Sequence, residues 1–200
     1  KGNSGLLGPG SVQWMTAGRG IVHSEMPEQE AGLMWGFQLW INLPAKQKMT
    51  APRYQDIAAA AVPVVEGNAG ATVKVLAGTH AGVRGPVDPG ATEPLYLDVA
   101  LAADGRFETP VPEGHVAFAY VYDGAVVFGP DDDGRKIARG ELAVLGEGAA
   151  VAAGSAGAAA RFILLAGKPL REPIVKYGPF VMNTTNEIRQ AIIDFQAGRF

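Results

Sequence analysis

The sequence predicts an all-β protein built from antiparallel barrels, and three observations predict it. Glycine (27 residues) and proline (14 residues) are both enriched without a short repeat, which marks tight turns between short strands rather than long helices. Between those turns, short segments alternate apolar and polar side chains at roughly regular spacing, the pattern of a barrel or jelly roll. Leu33 to Leu43 is apolar on both faces, as befits a strand buried between two sheets. At 200 residues and 48% hydrophobic content the chain can bury a substantial core, as one large domain or two small ones.

Taken in order, Lys1 to Gly10 has the composition of a loop, with no initiator Met and no signal-peptide architecture, so further residues are expected upstream. Ser11 to Thr16 is a strand that reaches the corner Ala17-Gly18-Arg19-Gly20, where glycine permits positive φ and a change of direction. Ile21 to Glu25 is the next strand, and Pro27 to Glu30 a polar loop. In the aromatic strand that follows, Leu33, Trp35, Phe37, Leu39, Ile41 and Leu43 share one face, and Met34, Gln38, Trp40 and Asn42 the other. Pro44 to Pro52 is a loop, Tyr54 to Ile57 a short extended piece, and Ala58 to Ala61 too short for a helix. Thr72 to Leu76 alternates as a strand, and irregular glycine-rich and proline-rich connections lead on to Pro94. From Leu95 strands recur: Leu95 to Leu101, Phe107 to Val111, His115 to Tyr122, Ala125 to Phe128, Glu141 to Leu145, Ala149 to Ala153 and Ala159 to Ala166. Asp123-Gly124 reads as a hairpin dipeptide. Leu170 to Asn183 is extended. Thr184 and Glu187 then have the spacing of a capping box, followed by Ile188, Ile192 and Phe195 on one helical face. That helix ends near Gly198 and is expected to pack on the outside of a sheet.

The chemistry centres on His23 and Glu25. Residues i and i+2 of a strand point the same way, roughly 6–7 Å apart. An imidazole and a carboxylate so placed are either half of a metal site or a buried hydrogen-bonded pair. Elsewhere the composition mostly excludes. A net charge of −3 with no basic run leaves no electrostatic footprint for direct nucleic-acid binding. Cysteine is absent, which removes disulfide and thiol chemistry. No apolar run is long enough to span a membrane.

Several blocks in order resemble the pirin family: Pro9-Gly10, Gln13-Trp-Met-Thr-Ala-Gly-Arg-Gly20, His23-Ser-Glu25, Leu39-Trp-Ile-Asn-Leu43, Gly129-Pro-Asp131, Leu145-Gly-Glu-Gly148, Ala166-Gly-Lys-Pro-Leu-Arg-Glu-Pro173 and Gly178-Pro-Phe-Val-Met-Asn-Thr184. The resemblance covers nearly the whole chain. It implies a bicupin, two antiparallel β-barrels in one chain, with the C-terminal α-helix. Residues 1–50 would belong to the N-terminal, metal-binding barrel and 51–91 to an inter-domain connection with one strand. Residues 92–170 would form a metal-free C-terminal barrel, and 171–200 the crossover segment and helix.

In that family three histidines and one glutamate hold a mononuclear metal, typically Fe(II), other divalent metals suiting the same donors. His23 matches the third histidine and Glu25 the glutamate. The other two histidines belong to a His-x-His motif that would precede Lys1, so the metal is expected to be weakly held by, or missing from, these 200 residues alone. His115 is followed two positions on by Ala117, not histidine, and both it and His80 are expected to be structural or solvent-exposed. Trp14, Met15, Trp35, Phe37 and Trp40 are expected in the core, with an aromatic-accepting pocket as the alternative. Asp131-Asp-Asp133 lacks calcium-site spacing and reads as a solvated turn.

The function implied is an Fe(II)-dependent dioxygenase of the quercetinase type acting on a flavonol-like small molecule, with Glu25 also serving as general base. The alternative implied by the same resemblance is a non-enzymatic, metal-dependent regulator, a transcriptional co-regulator or modulator of a metabolic enzyme, acting through a protein partner. The location implied is cytoplasmic, or nuclear in a eukaryote.

Overall fold

In a computed structural model the described residues are 5–88, 90–130 and 133–200. β1 (Val12–Thr16) pairs with β2 (Arg53–Ile57), and 3-10 turns occupy Ala45–Gln47 and Ala59–Ala61. β3 (Val64–Glu66) and β4 (Ala71–Ala77) lead to a small hairpin of β5 (Thr79–His80) and β6 (Val83–Arg84). There follow β7 (Leu95–Leu101), β8 (Arg106–Pro110), β9 (Val116–Asp123), β10 (Ala125–Phe128) and β11 (Arg135–Ala138). β12 (Leu142–Val144), β13 (Ala150–Ser155) and β14 (Ala160–Gly167) complete that run; a hairpin of β15 (Val175–Tyr177) and β16 (Phe180–Met182) and helix α1 (Thr185–Gln196) close the chain.

The chain divides into two compact units. The larger comprises Gln55–Pro169 with the stretch ending at Trp14; the smaller comprises Met15–Tyr54 and Leu170–Phe200. In the larger, β12-β9-β14-β7-β4-β3 form a six-stranded sheet and β11-β10-β13-β8 a four-stranded one, with antiparallel pairing throughout. Alternation explains how the two faces meet. Every second residue of β4 is buried, as are Phe107 and Thr109 of β8. The inward side chains of both sheets join in one cluster: Val73, Val75, Leu97, Val99, Phe162 and Leu164 from the larger sheet, and Phe107, Val126, Phe128 and Val151 from the smaller. Burying these side chains removes apolar surface from water at about 25 cal/mol per Å², and that term holds the two sheets together. The strand expected at Thr72–Leu76 therefore does more than connect: as β4 it pairs with β7 along the six-stranded sheet.

Two expectations for the first fifty residues are corrected. Ile21 to Glu25 and Leu33 to Leu43 form no strand among the described residues. A strand persists through the hydrogen-bond ladder to a neighbour, and no sheet includes either stretch. Side chains placed in the core by their alternation are accordingly exposed, Leu33 at 80%, Trp35 at 55% and Trp40 at 67%.

Asp123-Gly124 is a third correction. β10 pairs with β11 and β13, not with β9, so the dipeptide carries the chain from the six-stranded sheet to the four-stranded one instead of closing a hairpin. Sharp exits of this kind look alike in sequence, because a turn dipeptide records a change of direction and not the strand that follows it.

In the smaller unit the C-terminal helix forms as its spacing predicts. Thr184 is the N-cap; its side chain accepts from the Glu187 backbone N–H at 3.2 Å, and its hydroxyl donates to Glu187 Oε2 at 2.9 Å. Those contacts lower the Glu187 pKa, the Thr184 hydroxyl being the largest cause. Ile188 is buried, and Phe180, Phe195 and Phe200 cluster with ring centroids 5.8–6.2 Å apart. Lys48 is also buried, its Nζ donating to Asn42 Oδ1 (2.7 Å) and the Val181 carbonyl (3.1 Å). Desolvation lowers its pKa, partly offset by Glu172 and Glu187. Glu172 Oε2 accepts from the Ala45 N–H at 2.7 Å and from Asn183 Nδ2 at 3.1 Å, tying the extended segment to the 3-10 turn.

Candidate metal centre

The glycine corner delivers the candidate ligands. Gly20 N–H donates to the Ala17 carbonyl (3.0 Å) and Arg19 N–H to the Thr50 carbonyl (2.9 Å), while Gly18 and Gly20 take positive φ. Beyond it, His23 Nδ1 lies 3.8 Å from Glu25 Oε1, with side chains 45% and 62% exposed. The distance exceeds a hydrogen bond and the pair is exposed, so the reading of a buried hydrogen-bonded pair is set aside. The two side chains nonetheless turn to the same side without a strand to align them.

Gln38 joins them. Its Nε2 donates to both oxygens of Glu25, at 3.3 Å each. Its only sign in the sequence is a polar side chain on an otherwise largely apolar segment. An amide gripping both oxygens fixes the orientation of a carboxylate, as partners of metal ligands do.

In kind, an imidazole and a carboxylate suit a first-row divalent metal. In number they fall short, since among the described residues no group of three or more His, Cys, Asp or Glu stands where it would hold an ion. Trp35, Phe37 and Trp40, expected in the core or around a pocket, are 55%, 42% and 67% exposed. Asp131 and Asp132 lie outside the described residues.

The other two histidines belong to the larger unit. His80 is buried beside Thr109, with Nδ1 3.0 Å from Oγ1 and its ring stacked on Phe107 at 5.4 Å. This matches a structural role. Burial lowers its pKa below 6.5. The folded state therefore resists the proton that the unfolded chain accepts, so His80's contribution to stability is intact above about pH 6.5 and is lost as pH falls through the lowered folded value. The unfolding free energy of the wild type should fall more steeply between about pH 7 and about pH 5 than that of His80→Gln. Denaturant titrations at each pH measure it, and parallel slopes would refute the assignment.

On the outer side of the six-stranded sheet, the Tyr122 hydroxyl donates to Asp98 Oδ1 at 2.5 Å, and Lys74 lies 3.8 Å from Asp98 Oδ2. Burial and Asp98 raise the Tyr122 pKa, and the same two causes push Tyr96 up to about 12.

A six-stranded and a four-stranded antiparallel sheet sharing one core define a protein of the cupin class. The sequence profile of the pirin C-terminal cupin domain matches residues 96–200, and that of pirin matches residues 1–41. A pirin-like protein of Caulobacter vibrioides is 48% identical over 100% of this chain and 71% of its own length. A Pseudomonas aeruginosa protein named as a candidate quercetin 2,3-dioxygenase is 49% identical over 98% of this chain and 70% of its own. The crystal structure of quercetin 2,3-dioxygenase from Acinetobacter baumannii superposes with a TM-score of 0.84 at 36% identity, covering 96% of this chain and 67% of that one. The chain belongs to the pirin family. Its fold is the mostly-β cupin fold with a C-terminal helix, consistent with the expected bicupin. No helix among the described residues is long and apolar enough to cross a membrane.

Proposed function

We propose that the protein is a metal-dependent dioxygenase of the quercetin 2,3-dioxygenase type, with Fe(II) as its metal and His23 and Glu25 among the ligands. The observation that carries this reading is the convergence of His23 and Glu25 on one side, 3.8 Å apart, with Gln38 holding the carboxylate. The likeness to the Acinetobacter baumannii quercetin 2,3-dioxygenase supports the substrate class, a flavonol. The other ligands would come from a His-x-His motif, which does not occur among these 200 residues. When bound, the metal would supply a Lewis acid that favours ionisation of the flavonol hydroxyl, with His23 and Glu25 among the residues holding it.

The protein's own groups do the rest. Glu25 accepts the proton of the flavonol hydroxyl, a role open to a carboxylate within hydrogen-bond reach of the substrate. Gln38 keeps both carboxylate oxygens oriented while the proton moves. His23, a neutral nitrogen donor, completes the pair without adding negative charge.

The test is quercetin turnover by the full-length protein loaded with Fe(II), read from loss of flavonol absorbance under air. His23→Ala and Glu25→Ala should each lower kcat/KM by about 100-fold or more and reduce the bound metal, whereas Gln38→Leu should cost about tenfold. A metal-loaded protein without turnover would retire the enzymatic reading in favour of a regulator that acts through a protein partner.

A further inference from the structure

In the smaller unit the ring of Phe200 is seated on Gly20, three positions before His23 in the chain. We propose that Phe200 is a positioning residue for His23 and Glu25. Through Gly20 it fixes the direction in which the segment bearing the two ligands leaves the glycine corner. Its consequence for the metal rests on the reading given under Proposed function, whereas the packing stands without that reading.

A Cβ at Gly20 would stand 2.5 Å from Phe200 Cδ1, 2.6 Å from Cγ and 2.7 Å from Cε1. Three distances so nearly equal place the glycine over the face of the ring, not beyond its edge. No side chain fits between the two, and the φ of +141° at Gly20 is itself one that L-residues rarely adopt. Arg19 N–H bonds to the Thr50 carbonyl and Gly20 N–H to the Ala17 carbonyl, which ties the corner down as far as Gly20. Beyond it, Ile21 to Glu25 enters no sheet among the described residues. The course of that segment is therefore set where it starts, and the ring closes one side of the start.

The ring is itself firmly held. Helix α1 ends in a Schellman turn, with Gly198 at φ +66°. Gly198 N–H donates to the Phe195 carbonyl and Arg199 N–H to the Asp194 carbonyl, both at 3.0 Å. Arg199 Nη1 adds a bond to Asp194 Oδ1 at 2.8 Å, so the residue before Phe200 is anchored to the helix by backbone and side chain alike. Phe180 and Phe195 flank the Phe200 ring, their centroids 6.1 and 5.8 Å from its own. A ring fixed by a helix end and two neighbours is a firm stop against which a segment without a ladder can rest. Groups that orient metal ligands without touching the metal tune its affinity.

Co(II) serves as the probe metal in the full-length protein, with affinity read by chelator competition and coordination by visible absorption. Phe200→Ala should weaken Co(II) binding by about tenfold or more and alter the absorption band. It should also speed amide exchange at Arg19 and Gly20, followed by NMR in the absence of metal. Phe200→Tyr keeps the ring face and should restore affinity, spectrum and exchange together. Phe200→Leu keeps apolar bulk without a flat face and should show the same losses, which covers the case in which the alanine variant fails to fold. Wild-type affinity and exchange in Phe200→Ala or Phe200→Leu, or losses that Phe200→Tyr does not restore, would overturn the proposal. A wild type that binds no Co(II) would count against the metal reading, and the exchange rates would then decide the positioning.

Discussion

Phe162→Ala is expected to destabilise the larger unit by about 3–5 kcal/mol. Phe162 is fully buried on β14, which is flanked by β7 and β9 in the six-stranded sheet. Its ring meets Phe128 edge-on at 5.2 Å and Phe107 edge-on at 5.6 Å. Both partners come from the four-stranded sheet, so this one ring bridges the two layers. Truncation removes the ring's transfer free energy, leaves a cavity, and forfeits two aromatic pairs worth about 0.5–1.5 kcal/mol each beyond area. Denaturant unfolding should show a lower midpoint at unchanged slope. Val144→Ala, at a position 80% exposed, should stay within about 0.5 kcal/mol of wild type. A loss below about 1 kcal/mol in Phe162→Ala would mean that the sheets are held elsewhere.

Gly124→Ala should cost about 2–3 kcal/mol, more than a surface turn would suggest. Gly124 has φ +66°, and a Cβ there would stand 2.5 Å from the Ala159 carbonyl oxygen and 3.0 Å from Ala160 Cα. Both neighbours are backbone at the entry to β14, so neither yields by a rotamer change. The left-handed conformation alone costs an L-residue about 1–2 kcal/mol, and relief of the contact requires a shift where the chain passes from β9 to β10. Thermal unfolding of Gly124→Ala beside Gly140→Ala isolates the contact. Gly140 also has positive φ, 86°, but nothing lies within 4 Å of its Cβ position. Equal losses in the two variants would leave only the conformational cost.

Much of the larger unit was legible because its information is local. A period of two announces Ala71–Ala77 and Leu95–Leu101, a continuous apolar run announces Ala160–Gly167, and, in the smaller unit, the Thr184–Glu187 capping contact needs only residues three apart. The illegible parts depend on partners distant in sequence. His80 and Thr109 are 29 positions apart, and Gln38 reaches Glu25 across 13. Alternation in Leu33 to Leu43 reports which side chains would face a core, whereas a ladder requires a neighbouring strand, and the alternation carries no record of one.

The sequence by itself determined an all-β protein with a capped C-terminal helix, since composition, periodicity and residue type act at short range. Only the tertiary structure decided which sheet each strand enters, that Asp123-Gly124 is a crossing between sheets, and that Gln38 grips the Glu25 carboxylate. Each of these is a distance between groups far apart along the chain, fixed by the packing of the whole and by no single segment of it.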